Sequence, residues 1–222
     1  MQRKPEPQYM DDLAEAKAYA DADFAAVNEA FVDRLLDLAP AGPDEAVLAV
    51  DLGTGPGDIP IRIARRCPGW RLTGVDASKP MIAIARQASE QAGAARMLRW
   101  LVADAADTHL PEKSFDVVLS NSILHHVADP AAFWAEARRI AKPGATWLLR
   151  DLLRPADENQ ARALVDQYAA NESAILREEY YRSLLSAYTA EELRCQLDAA
   201  GLQSLRVEIV TDRHVDVFGR AS

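Results

Sequence analysis

Three glycines and three carboxylates stand at positions where they could form one ligand site. The glycines occupy alternate positions in "DLGTGPGD", at Gly53, Gly55 and Gly57. Because glycine has no side chain, such a loop lets a ligand lie directly against the backbone. The residues that follow predict a helix, whose first turn offers free N–H groups and a positive dipole end. We therefore expect this loop to hold a polar or charged part of a small ligand.

The spacing of the glycines excludes one phosphate-binding loop and disfavours another. A P-loop ends in Gly-Lys-Ser/Thr, and no lysine follows these glycines. A dinucleotide loop has its third glycine one position further on, where this chain has Asp58. A carboxylate at that position would place a negative charge beside a pyrophosphate. The loop therefore favours a ligand with a cationic or zwitterionic group, and a nicotinamide oxidoreductase is the less favoured alternative.

Two further carboxylates end the next two predicted strands. Asp76 ends "RLTGVD", where an acidic side chain can accept hydrogen bonds from both hydroxyls of a ribose. Asp104 ends "WLVAD", where it suits the exocyclic amine of an adenine. Together the three features favour an adenosine that carries a cationic tail without phosphate.

Alternating strands and helices must position these residues. Continuous apolar runs predict buried strands, and the segments between them have helical spacing, which is typical of a parallel sheet covered on both faces. A helix is also predicted over residues 11–38, and two helices over 156–187. Thr189 and Glu192 predict a capping box at the start of a further helix, and the last two strands are close enough to pair as a hairpin. The predicted strands are 46–52, 71–77, 97–104, 115–122, 146–153, 202–210 and 214–219.

Five segments resemble a known family. They are "VDLGTGPGD", "GVDASKPMIAIAR", "WLVADAAD", "FDVVLSNSILHHVADP" and "KPGATWLLRDLLRP", in this order over residues 47–155. Each motif is weak alone, and together they resemble the class I S-adenosylmethionine-dependent methyltransferases. The resemblance implies S-adenosyl-L-methionine as cofactor, S-adenosyl-L-homocysteine as product, and no metal. It also implies an α/β fold with a three-layer, doubly wound sheet of seven strands, mostly parallel with one antiparallel C-terminal strand.

The whole chain, residues 1–222, is expected to form a single domain of this family. Within it we expect an N-terminal helical lid at 1–40, a cofactor-binding core at 44–155, a helical insert between the fifth and sixth strands at 156–188, and a C-terminal helix and hairpin at 189–222.

The resemblance implies which residues hold each part of the cofactor. Met81 could instead be an ordinary core residue. The expected contacts are Asp51, Gly53, Thr54, Gly55 and Gly57 to the methionine part, Asp76 to the ribose, Ala77, Met81, Asp104 and the Ala105 amide to the adenine, the backbone near Asn121 to the amino acid end, and Tyr19 from the lid, which Tyr9 and Phe24 would also line.

The segment "SNSILHHVADP" follows the fourth strand at the rim of the expected site. It lacks the Asp/Asn-Pro-Pro-aromatic motif of enzymes that methylate nucleic-acid amines, and it lacks the cysteine of cytosine carbon-5 methylation. His125 is a candidate general base and His126 a candidate substrate contact, although the pair could also be purely structural. Because the two histidines are adjacent, they should point in different directions.

Three residues further along the chain are candidate acceptor contacts. Asp151 and Arg154 follow the fifth strand, and Arg154 could bind a carboxylate or phosphate or form an ordinary salt bridge. Tyr181, beside Tyr180 and Arg182 in the insert, could line the pocket or simply pack.

The charge of the chain limits the class of acceptor. The formal net charge is −9, whereas nucleic acids and anionic membranes need a positive face. No apolar run is long enough for a membrane span, and we see no signal peptide. We therefore expect a cytoplasmic enzyme, monomeric or homodimeric, that methylates O, N or S of a small molecule. RNA or protein methylation and a non-catalytic cofactor-binding partner subunit are the alternatives.

Overall fold

A mixed β-sheet of seven strands forms the centre of the part that the structure describes. The computed structural model describes residues 1–5, 16–17, 19–20, 22 and 24–221. The strand order across the sheet is β3-β2-β1-β4-β5-β7-β6. The strands are β1 (Val47–Leu52), β2 (Trp70–Asp76), β3 (Leu98–Val102), β4 (Phe115–Asn121), β5 (Ala141–Leu152), β6 (Arg206–Ile209) and β7 (His214–Arg220).

The pairing of the strands confirms the predicted fold class. Strands β1 to β5 pair with one another in parallel, and β7 is antiparallel to both β5 and β6. Strand β1 lies between β2 and β4. After β1 the chain forms β2 and β3 on one side of it, and then β4 and the later strands on the other side. In such a sheet the crevice beyond the carboxyl ends of these strands is the place where ligands bind.

Helices cover both faces of the sheet. Several begin with side-chain caps that the sequence predicts: Ser78 accepts a hydrogen bond from the Met81 N–H, and Thr189 and Glu192 form a capping box. The helices are α1 (Ala25–Leu38), α2 (Asp58–Arg66), α3 (Lys79–Gln91), α4 (Pro130–Ile140), α5 (Glu158–Tyr168), α6 (Ala174–Ser186) and α7 (Ala190–Ala199), with a short 3₁₀ helix at Leu124–His126.

Apolar side chains fill a separate layer on each face of the sheet. On one face Phe31 and Leu35 of α1 pack with Trp70 of β2. On the other face Trp134 of α4 packs with Trp147 of β5 in a cluster that also contains residues of α7. The insert helices α5 and α6 bury a third, smaller cluster of their own. Nowhere in the described ranges is there a helix both long and apolar enough to cross a membrane.

Two element boundaries differ from the predictions. The fifth strand is predicted to begin at residue 146, but β5 begins at Ala141, directly after α4 ends at Ile140. Residues 142–144 can belong to β5 because the register between β4 and β5 shifts between Phe115 and Val117, and because Gly144 adopts φ +77°. The helix expected over 11–38 has its regular part at 25–38, with residues 16–17 and 19–20 also helical. Residues 6–15, Tyr9 included, lie outside the described part.

Candidate functional site

A cleft lies beyond the carboxyl ends of β1, β2 and β4, where the topology predicts a ligand site. Its volume is about 220 Å³. Its wall includes residues that the sequence did not predict as ligand contacts, namely Ser78, Ala106, Ser122, Ile123 and the segment 127–129, together with predicted contacts. Those are Tyr19, Gly53, Gly55, Asp76, Ala77, Met81, Asp104, Ala105, Asn121 and His126. We call this set of residues the cleft.

The space beside the Cα atom differs among the three glycines of the loop. All have positive φ, which favours glycine. A Cβ on Gly53 would lie 2.1 Å from Ile123 Cδ1, and one on Gly57 would lie 2.6 Å from the ring of Trp100, whereas one on Gly55 would meet nothing within 4 Å. Only Gly55 therefore leaves open space towards a ligand. Gly57, expected to contact the cofactor, caps α2 instead and is not part of the cleft wall.

The carboxylate of Asp76 is fixed in the cleft by two backbone N–H groups. Gly55 N–H donates to Oδ2 and Ser78 N–H donates to Oδ1, each at 2.8 Å. Burial raises the pKa of Asp76, and these two hydrogen bonds offset only part of that effect. Because each oxygen has more than one lone pair, each can still accept a hydroxyl of a ligand. The geometry therefore suits a vicinal diol.

Asp51 lies behind the glycine loop, and only one of its two carboxylate oxygens has a hydrogen-bond partner among the described residues. Thr54 Oγ1 donates to its Oδ2 at 2.7 Å, while Oδ1 is buried and has no hydrogen-bond partner among the described residues. Burial raises the pKa of Asp51 to about 7, the Thr54 hydrogen bond opposes this rise, and the charge of Asp76 adds to it. A buried acceptor of this kind fits a cationic group of a ligand, which would favour the ionised carboxylate.

The remaining acidic residues of the site differ in their position. Asp104 lies in the cleft and accepts the Ala106 N–H at 2.8 Å. Asp58, by contrast, is not in the cleft: its Oδ2 is 2.7 Å from Arg62 Nε and accepts Asn28 Nδ2 at 2.8 Å. Its charge is therefore compensated, so the objection to a pyrophosphate based on Asp58 is wrong. The case for a cationic ligand depends on Asp51.

The adjacent histidines have separate environments. His126 lies in the cleft wall, whereas His125 is buried, with Nδ1 2.5 Å from Asp151 Oδ1. Burial opposes ionisation of Asp151, but the charge and hydrogen bond of His125, with the Leu152 N–H, outweigh it and lower the pKa of Asp151. The two rings lie 4.1 Å apart between centroids. The structure therefore brings His126 to the cleft and places the His125–Asp151 pair behind it.

Two predicted acceptor contacts lie elsewhere. Arg154 is buried, and its Nη2 donates to Glu192 Oε1 at 2.6 Å. The hydroxyl of Tyr181 is 3.2 Å from Glu158 Oε2, and Arg162 covers its ring at 4.8 Å. Both residues use their polar groups within the fold and neither belongs to the cleft, so the alternative interpretations of a salt bridge and of packing describe them better.

Arg3 is a residue near the site that sequence reasoning missed. Its Nε donates to the Ser186 carbonyl at 2.6 Å, its Nη2 donates to the His125 carbonyl at 2.9 Å, and its guanidinium covers the Tyr188 ring at 4.1 Å. No motif surrounds Arg3, so no local signal could have identified it. It ties the N-terminal residues to the insert and to the 3₁₀ helix.

Comparisons with known proteins identify the family. A family model described as a methyltransferase domain matches residues 50–149. The malonyl-[acyl-carrier protein] O-methyltransferase of Geobacter sulfurreducens is 31% identical over 203 residues, which are 89% of this chain and 72% of that protein. The chain belongs to the class I S-adenosylmethionine-dependent methyltransferases. The cofactor of this family is S-adenosyl-L-methionine, in agreement with the resemblance found in the motifs.

Other relatives agree with this assignment. The ubiquinone biosynthesis O-methyltransferase of Paramagnetospirillum magneticum is 35% identical over 114 residues, 51% of this chain and 44% of that protein. This chain matches only part of several curated relatives. The matching part covers 36% to 60% of their length. In fold, a SAM-dependent methyltransferase from Aquifex aeolicus superposes with a TM-score of 0.70 at 18% identity, over 95% of this chain and 99% of that one.

The pKa of Asp51 predicts how the affinity of the methyltransferase for S-adenosylhomocysteine depends on pH. Because Asp51 is protonated below pH about 7, a ligand ammonium group gains its partner only as the pH rises. Affinity should therefore increase through neutral pH, by up to about tenfold per pH unit below the pKa. Calorimetric titrations on both sides of neutrality measure this.

Two controls isolate Asp51. The variant Asp51→Asn keeps the shape of the side chain, and its affinity should be lower and nearly independent of pH. Adenosine, which lacks the amino acid part, should bind the unmodified protein with little pH dependence. Equal pH profiles for Asp51→Asn and the unmodified chain would show that Asp51 does not bind the ammonium group.

Proposed function

We propose that this protein transfers the methyl group of S-adenosyl-L-methionine to an oxygen, nitrogen or sulfur atom of a small molecule. The observation that carries the proposal is the cleft, in which the fixed carboxylate of Asp76 suits the ribose of an adenosine. The buried carboxylate of Asp51, behind the glycine loop, suits a cationic tail. The net charge of −9 argues against nucleic acid as acceptor. Two relatives carry names of O-methyltransferases, one of ubiquinone biosynthesis and one of malonyl-[acyl-carrier protein], which supports a small or carrier-bound acceptor over an RNA.

The proposed cofactor contacts follow the order of the strands. Asp51 and Gly55 at the end of β1 would face the methionine part, and Thr54 would orient the Asp51 carboxylate. Asp76 at the end of β2 would accept both ribose hydroxyls. Residues after β2 and β3 would enclose the adenine, and the backbone near Asn121 would meet the amino acid end. The adenine wall comprises Ala77, Met81, Asp104 and Ala105.

The chemistry needs little more than alignment by the protein. When bound, S-adenosylmethionine supplies a methyl group already activated by the sulfonium charge. The chain's part is to hold the acceptor atom in line and to exclude water. A base is needed only where the acceptor must lose a proton during attack. For that task the structure favours His126, which faces the cleft, over His125, which we had expected to be the base.

His126→Ala should therefore reduce turnover more than affinity for the cofactor. If His126 removes a proton, kcat should fall by about 100-fold or more, while binding of S-adenosylhomocysteine stays within about twofold. His125→Ala and Asp151→Asn should lower kcat less, because they act through the position of His126. Transfer of label from the cofactor, measured in samples quenched at fixed times, gives kcat for each variant. A His126→Ala variant with unchanged kcat would exclude it as the base.

The N-terminal segment supports a lid over the cleft. Tyr19 forms part of the cleft wall, and its ring lies tilted against that of Phe24 with 5.0 Å between the centroids. Burial raises the pKa of Tyr19 to about 12. The cleft measures about 220 Å³, which is below the roughly 300 Å³ at which ordinary ligand pockets begin. We infer that Tyr19 and Phe24 belong to a lid that covers the bound cofactor.

Deletion of residues 1–24 tests the lid. It should weaken retention of S-adenosylhomocysteine and lower turnover, because water would enter the site. Arg3→Ala, which releases the segment from Ser186 and His125 without shortening the chain, should change both quantities in the same direction. Dissociation rates from stopped-flow fluorescence are the measurement. If neither change affects retention or turnover, the segment is not a lid.

A screen for methyl transfer tests the function itself. The protein is incubated with a low concentration of radiolabelled S-adenosylmethionine and separated extracts of metabolites, proteins and RNA, and Asp76→Ala serves as the control with weakened cofactor binding. Label that depends on Asp76 should enter the small-molecule fraction. Label in RNA or protein would favour those acceptors instead. Cofactor binding without transfer to any fraction would support the non-catalytic subunit.

A further inference from the structure

A second groove, larger than the cleft, runs along helix α4. Its volume is about 690 Å³, within the range of ordinary ligand pockets. One wall is a face of α4, the other is the end of α7, and the floor is the amino end of β5. None of the residues that line this groove belongs to the cleft. Methyl transfer as proposed above makes no use of it.

The groove has apolar walls with one buried donor. Trp134 and Trp147, both fully buried, form its base, and the small residues Ala135 and Ala199 leave the space between the helices open. Trp134 Nε1 donates to Gln196 Oε1 at 2.9 Å. Trp147 is fully buried, and its Nε1 has no hydrogen-bond partner in the part of the chain that is described. The polar groups of both tryptophans therefore lie beneath the groove, and the surface that a ligand would meet is that of the small apolar residues.

The rim of the groove is positive although the chain as a whole is acidic. Lys113, Arg138, Arg139 and Lys142 line it, against the single carboxylate of Glu112. Arg139 and Lys142 already pair, with Glu136 and Asp116. Lys113 and Arg138 have no ion-pair partner among the described residues. Arg138 Nη1 donates to the Ala200 carbonyl at 3.0 Å, which holds its guanidinium at the end of α7.

We propose that this groove is a second ligand site, for a small anion with an elongated apolar body. The apolar part would lie along the exposed residues Ala131, Ala135 and Ala199, above the buried tryptophans. Its carboxylate or equivalent acidic head would meet Lys113 and Arg138. The 11 residues of α4 span about 16 Å, enough for a chain of medium length. The rim of the groove is positive and its interior is apolar. A cation of the same length as the anion should therefore not bind.

Octanoate is a suitable probe, with octylamine and octanol as matched ligands of opposite and zero charge. Each is titrated by calorimetry into the full chain saturated with S-adenosylhomocysteine, so that the cleft is occupied. Octanoate should bind in a 1:1 complex, octanol more weakly, and octylamine not measurably. Absence of octanoate binding, or equal binding of octylamine, would overturn the proposal.

Two pairs of variants locate the bound octanoate. Ala135→Phe fills the groove from an exposed helix position and should weaken octanoate by about tenfold or more, whereas Ala163→Phe on the exposed face of α5 should not change it. The double variant Lys113→Gln/Arg138→Gln should weaken octanoate but not octanol. The control Arg65→Gln/Arg96→Gln, which removes the same charge from exposed positions elsewhere, should weaken neither.

The remaining outcomes separate this proposal from its rivals and from the proposed function. If Ala135→Phe leaves octanoate binding unchanged, the probe binds elsewhere and the proposal is wrong. If Ala135→Phe converts a dimer to a monomer in sedimentation, the groove is a subunit interface and not a ligand site. Binding of S-adenosylhomocysteine should be equal in all these variants, so failure here and failure of methyl transfer can be told apart.

Discussion

Asp76→Ala is expected to cost about 1–3 kcal/mol of binding free energy for S-adenosylhomocysteine, roughly a 5- to 150-fold loss of affinity. The reason is that both oxygens of Asp76 are already positioned, by Gly55 N–H and Ser78 N–H at 2.8 Å each. They are therefore prepared to accept two ribose hydroxyls without further ordering. Calorimetry at fixed pH measures the loss.

An analogue without the ribose 2′-hydroxyl distinguishes direct contact from general damage. Replacing Asp76 should weaken S-(2′-deoxyadenosyl)homocysteine less than it weakens S-adenosylhomocysteine, because the analogue has one hydroxyl fewer to lose. Asp107→Ala, which alters an exposed carboxylate of the neighbouring loop, serves as the control and should leave both affinities unchanged. If Asp76→Ala binds S-adenosylhomocysteine as tightly as the unmodified protein, Asp76 does not bind the ribose.

Arg150→Met is expected to lower the free energy of unfolding by about 3–5 kcal/mol. Arg150 of β5 donates to both oxygens of Asp216 on β7, at 2.7 and 2.8 Å, and the Asp216 side chain is fully buried. Removing the arginine leaves a buried carboxylate without its counter-charge, which is more costly than the loss of the pair itself. Unfolding by urea, monitored by circular dichroism, measures the change.

Two further variants show that burial is the cause. Arg150→Met/Asp216→Leu removes both charges and should recover most of the lost stability. Arg182→Met breaks an exposed ion pair with Glu178, whose side chains are 53% and 55% exposed, and should cost no more than about 0.5 kcal/mol. A loss in Arg150→Met no larger than that in Arg182→Met would contradict this account.

The sequence predicts the sheet well because its central strands are buried on both faces. Such strands are continuous apolar runs, so β1, β2 and β4 could be placed to within a residue or two. Asp76 follows directly, since it ends β2, and Asp104 lies two residues after the end of β3. Helix starts were also predictable where the cap is local, as at Ser78 and Thr189.

The acceptor side could not be predicted, because its geometry depends on partners that are distant in the chain. His125 turns inwards because Asp151 of β5 binds its Nδ1, and His126 faces the cleft as a result. Arg154 turns away from the cleft because Glu192 accepts its hydrogen bond. Gly57 was assigned to the ligand by its motif, but the ring of Trp100 from β3 occupies the space beside it. No local pattern encodes these pairings.

The position of β7 affects how the chain can fold as it leaves the ribosome. Strand β6 joins the sheet through β7, and β7 lies between it and β5. Until residues 214–220 have been synthesised, the apolar edge of β5 therefore has no neighbour to bond. An unpaired, apolar strand edge is a site at which nascent chains associate with one another. This protein should accordingly depend more on chaperones during synthesis than a variant whose final strand is supplied earlier by circular permutation.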